Sequence, residues 1–179
     1  MARSGPKMLN TANRRIDWVP TLADYKNPTV AELNAGVQLT CHITTANYSF
    51  GVTGTNIVTD PSVCDDIESG SPGIDTIEAV FDMFRYKDTV DDVAWTTFTA
   101  KSIPGYLVER IGQVDDDEDP SDVPYSAGDE VSVMQVLTLT PRPLSPSTAG
   151  YEKFGMSFAP QAFKQRAVVA SSGSGGGGA

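Results

Sequence analysis

Cysteine and histidine are almost missing from this chain: Cys41, Cys64 and His42 are all that its 179 residues contain. Two thiols cannot make the multi-disulfide framework that staples small secreted domains, and two thiols with one imidazole fall short of a four-ligand zinc site. Long apolar runs are also missing. No stretch nears the roughly 18 residues that a membrane-spanning helix needs, and no hydrophobic signal segment follows Met1–Lys7. A soluble protein made in a cytosol, with no membrane partner, is the expectation. Basic residues are few, 13 against 23 acidic ones, for a formal charge of −10. They are scarcest in residues 60–130, where nineteen acids face Arg85, Lys87, Lys101 and Arg110. Clustered lysine and arginine are what give affinity for phosphate, so ordinary nucleic-acid binding is excluded.

The length suits one domain with a proper core. With 40% hydrophobic and 20% charged residues the chain is not disordered, and its 16 glycines and 12 prolines leave little space for long helices. Strands joined by turns are expected, so the fold class is mainly β. The charge is also polarised. Residues 1–20 hold Arg3, Lys7, Arg14 and Arg15 against Asp17, and residues 131–179 hold four basic side chains against Glu152. Basic ends and an acidic middle allow head-to-tail attraction between copies.

Residues 1–20 lack periodicity and read as an extended arm with Trp18 as an aromatic anchor near its base. In Asn27–Gly36, Thr29 followed by Glu32 is a capping box and Gly36 a suitable C′ residue, which predicts a helix of about two turns. Val37, Leu39, Cys41 and Ile43 alternate with polar residues as a half-buried strand, Cys41 inward and His42 toward water. Residues 45–73 are the least regular stretch and read as a long loop. From Thr76, Ile77, Ala79, Phe81 and Met83 form one strand face, and Glu78, Val80, Asp82 and Phe84 the other. Residues 88–98 switch to helical spacing through Val90, Val93, Ala94, Thr97 and Phe98, with acids in the first turn, and should be the main helix. Strands are expected at 106–111, 131–139, 152–158 and about 164–170. The acidic run Asp115, Asp116, Asp117, Glu118, Asp119 must be a solvated loop, and the Ser- and Gly-rich end 171–179 is a flexible tract by composition.

No motif supports an enzyme. His42 is the sole imidazole and lies on a wet strand face, so every histidine-based nucleophile pair depends on a residue without helpful context. The thiolate of Cys64 is disfavoured by Asp65 and Asp66. Paired carboxylates are abundant but sit on predicted loops, without the opposed environments a glycosidase needs. Residues 115–122 lack the alternating Asp spacing and closing Glu of a calcium loop. No phosphate loop or dinucleotide fingerprint occurs, and no cofactor is expected.

The order of elements is nevertheless distinctive. Asn27–Thr40, preceded by Trp18-Val19-Pro20, resembles the opening of the major tail proteins of long-tailed phages that infect actinobacteria. The Asp91-Asp92 helix, the strand Pro104–Arg110 and the Pro-terminated strand ending near Arg142 follow in that family's order, so the resemblance spans about residues 14–170. It implies a tail tube β-sandwich or half-barrel with one main flanking helix and one short helix. It also implies assembly into stacked hexameric rings in the virion tail, with genomic DNA passing through the bore without specific binding. Tail terminator, tape measure and distal tail proteins are the implied partners. Within that picture the arm is residues 1–20, the β domain 21–170 and the flexible tail 171–179, with 45–73 as the inter-ring loop. Arg14, Arg15 and Trp18 are candidates for inter-subunit contact, and Glu78 and Asp82 for charge in the lumen. The alternative is a virion decoration or receptor-contacting β domain, with a calcium loop at Asp115–Asp122 as an optional feature.

Overall fold

A computed structural model describes residues 8, 12–112, 118, 119, 121–145 and 150–171. Its strands are β1 (Arg14–Val19), β2 (Val37–Gln38), β3 (Ile43–Thr59), β4 (Gly70–Phe84), β5 (Pro104–Ile111), β6 (Glu130–Thr138), β7 (Arg142–Pro143) and β8 (Lys153–Val168). Two five-residue helices, α1 (Val30–Asn34) and α2 (Val93–Thr97), flank them. The strands form a single antiparallel sheet in the order β2-β1-β5-β6-β8-β4-β3, with β7 attached to β8. The fold is mainly β, as expected.

The sheet curls on itself because β8 serves both halves. Its first residues, Lys153–Ser157, pair with Phe84–Val80 of β4, and from Phe158 onward it pairs with β6. The alternating residues of β4 point inward as the sequence predicts, with Ala79, Phe81 and Met83 fully buried. They meet Trp18, Leu107, Met134, Val136, Phe154, Met156 and Phe158, closed at one side by Ala94 and Phe98 of the α2 region. Each such aliphatic or aromatic side chain is worth roughly 1.5–3 kcal/mol when taken fully out of water. The opposite face of β1, β5 and β6 is covered by a second cluster, in which Leu33 of α1 packs with Val19, Val108, Tyr125, Val133 and Val169.

Helix α1 is the capping box read from the sequence. Thr29 accepts from the Glu32 N–H at 3.4 Å, and Glu32 accepts from the Thr29 N–H at 2.9 Å. Gly36 follows at the position expected for a helix stop, lodged where a β-carbon would lie 2.9 Å from Val19.

Five expectations are corrected. Residues 14–19 of the supposed arm are a strand of the sheet, paired with β5 from Arg14↔Ile111 to Val19↔Tyr106. The strand over 37–44 stops at Gln38, and a 3-10 turn at Thr40–His42 shifts the phase, so Cys41 is exposed and Leu39 is the buried residue. The 45–73 loop is mostly β3 and β4 in one long hairpin. Its outer part faces water on both sides, so no alternation marks it, and it begins past Gly51, which takes a φ of 115°. The main helix is only α2, because Asp92 takes a non-helical ψ of 45° and turns its carboxylate to Arg85 at 2.8 Å, leaving Val90 outside and exposed. The strands expected at 152–158 and 164–170 are one. Pro160, which lacks a ladder donor, sits at a register shift opposite Val136 and breaks the pattern without breaking the strand.

Candidate functional site

The hairpin β3–β4 divides into two parts. Near its base Tyr48, Phe50 and Phe81 pack as a ring cluster, with centroids of Tyr48 and Phe81 5.3 Å apart. Beyond Gly51 the two strands leave the body, paired from Val52↔Ile77 to Thr59↔Gly70. There Val52, Ile57, Val58 and Ile74 stand in water, and at the tip Val63 and Ile67 do the same, Ile74 at 82% exposure. A two-stranded ribbon is marginal alone in water, and exposed apolar patches on strands mark interaction surfaces or aggregation hazards. β3 is also the outer strand of the sheet, so its seventeen residues present an unpaired edge. Both features suit a surface that another chain covers.

Glu78 and Asp82 lie on the outward face of β4. Glu78 is exposed and accepts from Ser49 Oγ at 2.6 Å, while Asp82 is half-buried and accepts from Asn47 Nδ2 at 3.2 Å. They share one face, as the alternation predicts.

The basic candidates are placed differently from the expectation. Trp18 is 3% exposed within its own domain, edge-on to Phe98 at 5.2 Å and tilted against Phe158 at 6.1 Å. An indole consumed by its own core is not an anchor for a neighbour. Arg14 pairs with the buried Glu109, which also accepts from the Tyr48 hydroxyl. Burial and the Glu109 charge together push the Tyr48 hydroxyl pKa far above its ordinary value. Arg15 bonds Asp17, which is fully buried, at 2.8 Å, and the carbonyl of Val123 at 2.7 Å.

Sequence reasoning missed the cluster to which Arg15 belongs. Arg110 is 1% exposed; it pairs with Asp129 at 2.9 Å and donates to the carbonyls of Val123 and Pro124. Both guanidiniums lie over the Tyr125 ring, Arg15 at 4.7 Å and Arg110 at 5.1 Å from its centroid, an arrangement in which cation–π attraction and burial reinforce each other. Through the carbonyls of Val123 and Pro124 and the carboxylate of Asp129, the two guanidiniums thus tie down the chain just past the acidic run. The available signal was Arg110 itself, a charge at the third position of the inward series Tyr106, Val108, Arg110.

Of the acidic run, Asp115, Asp116 and Asp117 lie outside the described residues. Glu118 and Asp119 are exposed, and Asp119 accepts from the Ser121 N–H at 2.9 Å and its hydroxyl at 2.8 Å, closing a local turn. Those bonds hold its carboxyl below the ordinary carboxylate range. No group of three or more His, Cys, Asp or Glu suited to a metal occurs among the described residues.

At the base of the hairpin a cleft of about 800 Å3 opens between the end of β4 and the start of β8, lined by Cys41, Phe84, Tyr86, Lys87, Tyr151 and Lys153 among others. His42 stands behind it, ring edge-on to Tyr86 at 5.0 Å, with Nδ1 buried and unpartnered among the described residues.

A curled antiparallel sheet with a free edge and a water-exposed hairpin is what a self-assembling shell subunit presents, and the comparison with known families agrees. The family model described as "Phage tail tube protein" matches residues 1–173. No curated protein matches the chain. The match is to a structural tail tube family, which favours the tube subunit over the decoration or receptor-contacting reading. The chain belongs to the phage tail tube protein family and is a structural, self-assembling component of the virion tail.

Proposed function

We propose that six copies close into a ring, that rings stack into the tube of a long-tailed phage infecting an actinobacterium, and that genomic DNA traverses the bore. The observation that carries this reading is the hairpin. Past Gly51 its two strands run out of the body with six large apolar side chains in water, and among the described residues the edge of β3 away from β4 is unpaired. Joining the free edge of β3 to a second copy around an axis satisfies the backbone, and burying the ribbon between copies removes its exposed apolar surface. As the tube's major subunit, the protein meets tail terminator, tape measure and distal tail proteins at its ends.

Charge supplies the transport mechanism. Six copies at −10 each carry about −60 per ring, and duplex DNA carries about one negative charge per 1.7 Å of axis, so wall and cargo repel and the DNA slides without sticking. Glu78 and Asp82, on the outward face of β4, are the proposed strand-borne carboxylates of the lumen. The test is electron microscopy of the purified chain at high concentration. Hollow rods with six-fold end views support the reading; a protein that stays monomeric at millimolar concentration overturns it.

A further inference from the structure

We propose that the hairpin tip is a plug and the cleft at the hairpin's base its socket, so that the tip of one copy seats in the cleft of a second copy. The proposal rests on the tube-forming reading and names the two surfaces that meet.

The geometry excludes self-filling. β4 begins at the tip with Gly70 and ends in the cleft with Phe84, so the two are separated by about 45 Å measured along the strand at roughly 3.3 Å per residue. Every copy carries a plug at one end of the element and a socket at the other. A contact built from two such unlike halves is heterologous and repeats from copy to copy.

The chemistry of the halves is complementary. The tip presents two aliphatic side chains, Val63 and Ile67, at 106% and 76% exposure. Around them Asp60, Asp66 and Glu68 have no cationic partner among the described residues. Asp65 is engaged in the turn, where it accepts from the Ser62 N–H at 2.7 Å. The cleft offers the rings of Phe84, Tyr86 and Tyr151, the last 82% exposed. Arg85 is neutralised by Asp92 at 2.8 Å and lies over Trp95, but Lys87 and Lys153 have no carboxylate partner among the described residues. Lys153 rests over the Phe84 ring at 5.4 Å. One carboxylate, Glu152, also lines the cleft, so the socket is net cationic and the plug net anionic. Apolar contact at the centre with charge pairs around it is the usual anatomy of an interface.

The chain's two cysteines fall one on each half: Cys64 at the tip and Cys41 in the cleft, both exposed. Seating the plug brings them within reach of a short bis-maleimide, which bonds one thiol at each end. Full-length protein, assembled and then treated, should give a ladder of dimers, trimers and larger species on a denaturing gel. Cys41→Ser and Cys64→Ser should each abolish the ladder, and the two variants mixed before assembly should restore a dimer band and nothing larger. The pair Lys87→Glu with Lys153→Glu should cut the cross-link yield about tenfold at an unchanged melting temperature. Mixing it with a tip carrying Asp60→Lys, Asp66→Lys and Glu68→Lys should restore the yield. Light scattering run in parallel separates the two layers of the reading. Assemblies that form without any Cys41–Cys64 cross-link, or with only Cys64–Cys64 dimers that persist in Cys41→Ser, overturn the plug and socket and leave tube formation standing. A protein that never assembles overturns both.

Discussion

An indole stands where the side chain of residue 105 would be: a β-carbon on Gly105 would come within 2.3 Å of Trp18. β1 and β5 pair with Trp18 opposite Leu107, so Gly105 is the diagonal neighbour on the same face, and its bareness lets the indole lie flat against the sheet. Gly105→Ala should therefore overpack the core and cost about 1–3 kcal/mol. Trp18→Phe added to it should recover part of that loss, a non-additivity that thermal melts of the four proteins measure directly. Additive losses would mean that the two residues do not compete for space.

Charge reversal at the basic residues of β1 should act on the fold before it acts on assembly. Arg14→Glu sets a carboxylate against Glu109, and Arg15→Glu sets one against Asp17, both acceptors being nearly inaccessible. Breaking a buried pair by removing one partner costs about 3–5 kcal/mol. Partial exposure of Arg14, 34% for its side chain, places that variant at the lower end. Circular dichroism of dilute protein should show a lowered melting temperature in each, and a folded monomer of unchanged stability would contradict the pairing.

As pH falls below about 6.5 the stability should decline through His42, the chain's one histidine. Burial of the ring lowers its pKa below the ordinary 6.5, with Asp92 and Asp91 opposing but not cancelling. The unfolded chain thus takes up a proton near pH 6.5 that the folded chain refuses until lower pH. The contribution is present above the unfolded value and is lost as pH drops through the folded one. Urea midpoints measured across this window should slope downward in the wild type and flatten in His42→Gln.

A further acid-side loss should come from Glu32. Burial works to raise its pKa, but bonds from Thr29 and the Ala23 N–H outweigh it and hold the carboxyl below its usual range. Stability from this group is present above pH 4.5 and declines as pH falls through the lower folded value. Thr29→Ala should cost about 1 kcal/mol at neutral pH and weaken that decline, seen as a smaller difference between melts at pH 6 and pH 3.

What could be read in the sequence follows from what leaves a local trace. The α1 cap was legible because Thr29 and Glu32 bond within one turn, and the inner face of β4 because that stretch of strand has core on the side of Ala79, Phe81 and Met83 and more polar surroundings on the other. The outer hairpin was not. Ile57 and Val58 are adjacent, so they point to opposite faces of a ribbon that is wet on both, and such a strand carries no period. β1 was misread for a different reason. Asp17 and Arg15 look like surface residues until Tyr125 and Arg110, about a hundred positions away, are known to enclose them. Of the candidate contacts, the shared face of Glu78 and Asp82 was legible from period two alone, whereas the fate of Trp18 depended on Phe98 and Phe158.

Polar substitution on the ribbon should separate folding from assembly. Ile57 and Ile74 are 67% and 82% exposed, so Ile57→Ser with Ile74→Ser removes little burial from the monomer and should shift its stability by no more than about 0.5 kcal/mol. The same pair should abolish rods in electron micrographs. Rods of normal length from this double variant would show that the ribbon's apolar faces are not buried between copies.

Because one continuous strand, β8, is laced to β4 over its first five residues and to β6 over the remainder, the two halves of the sheet have no seam along which to separate. A pull on the outlying ribbon runs along β4 and loads its bonds to β8 in parallel, all at once, as in a lap joint, and cannot peel them open singly. Flexure of an assembled filament would then be absorbed in the slender ribbons between bodies, leaving the bodies themselves undeformed.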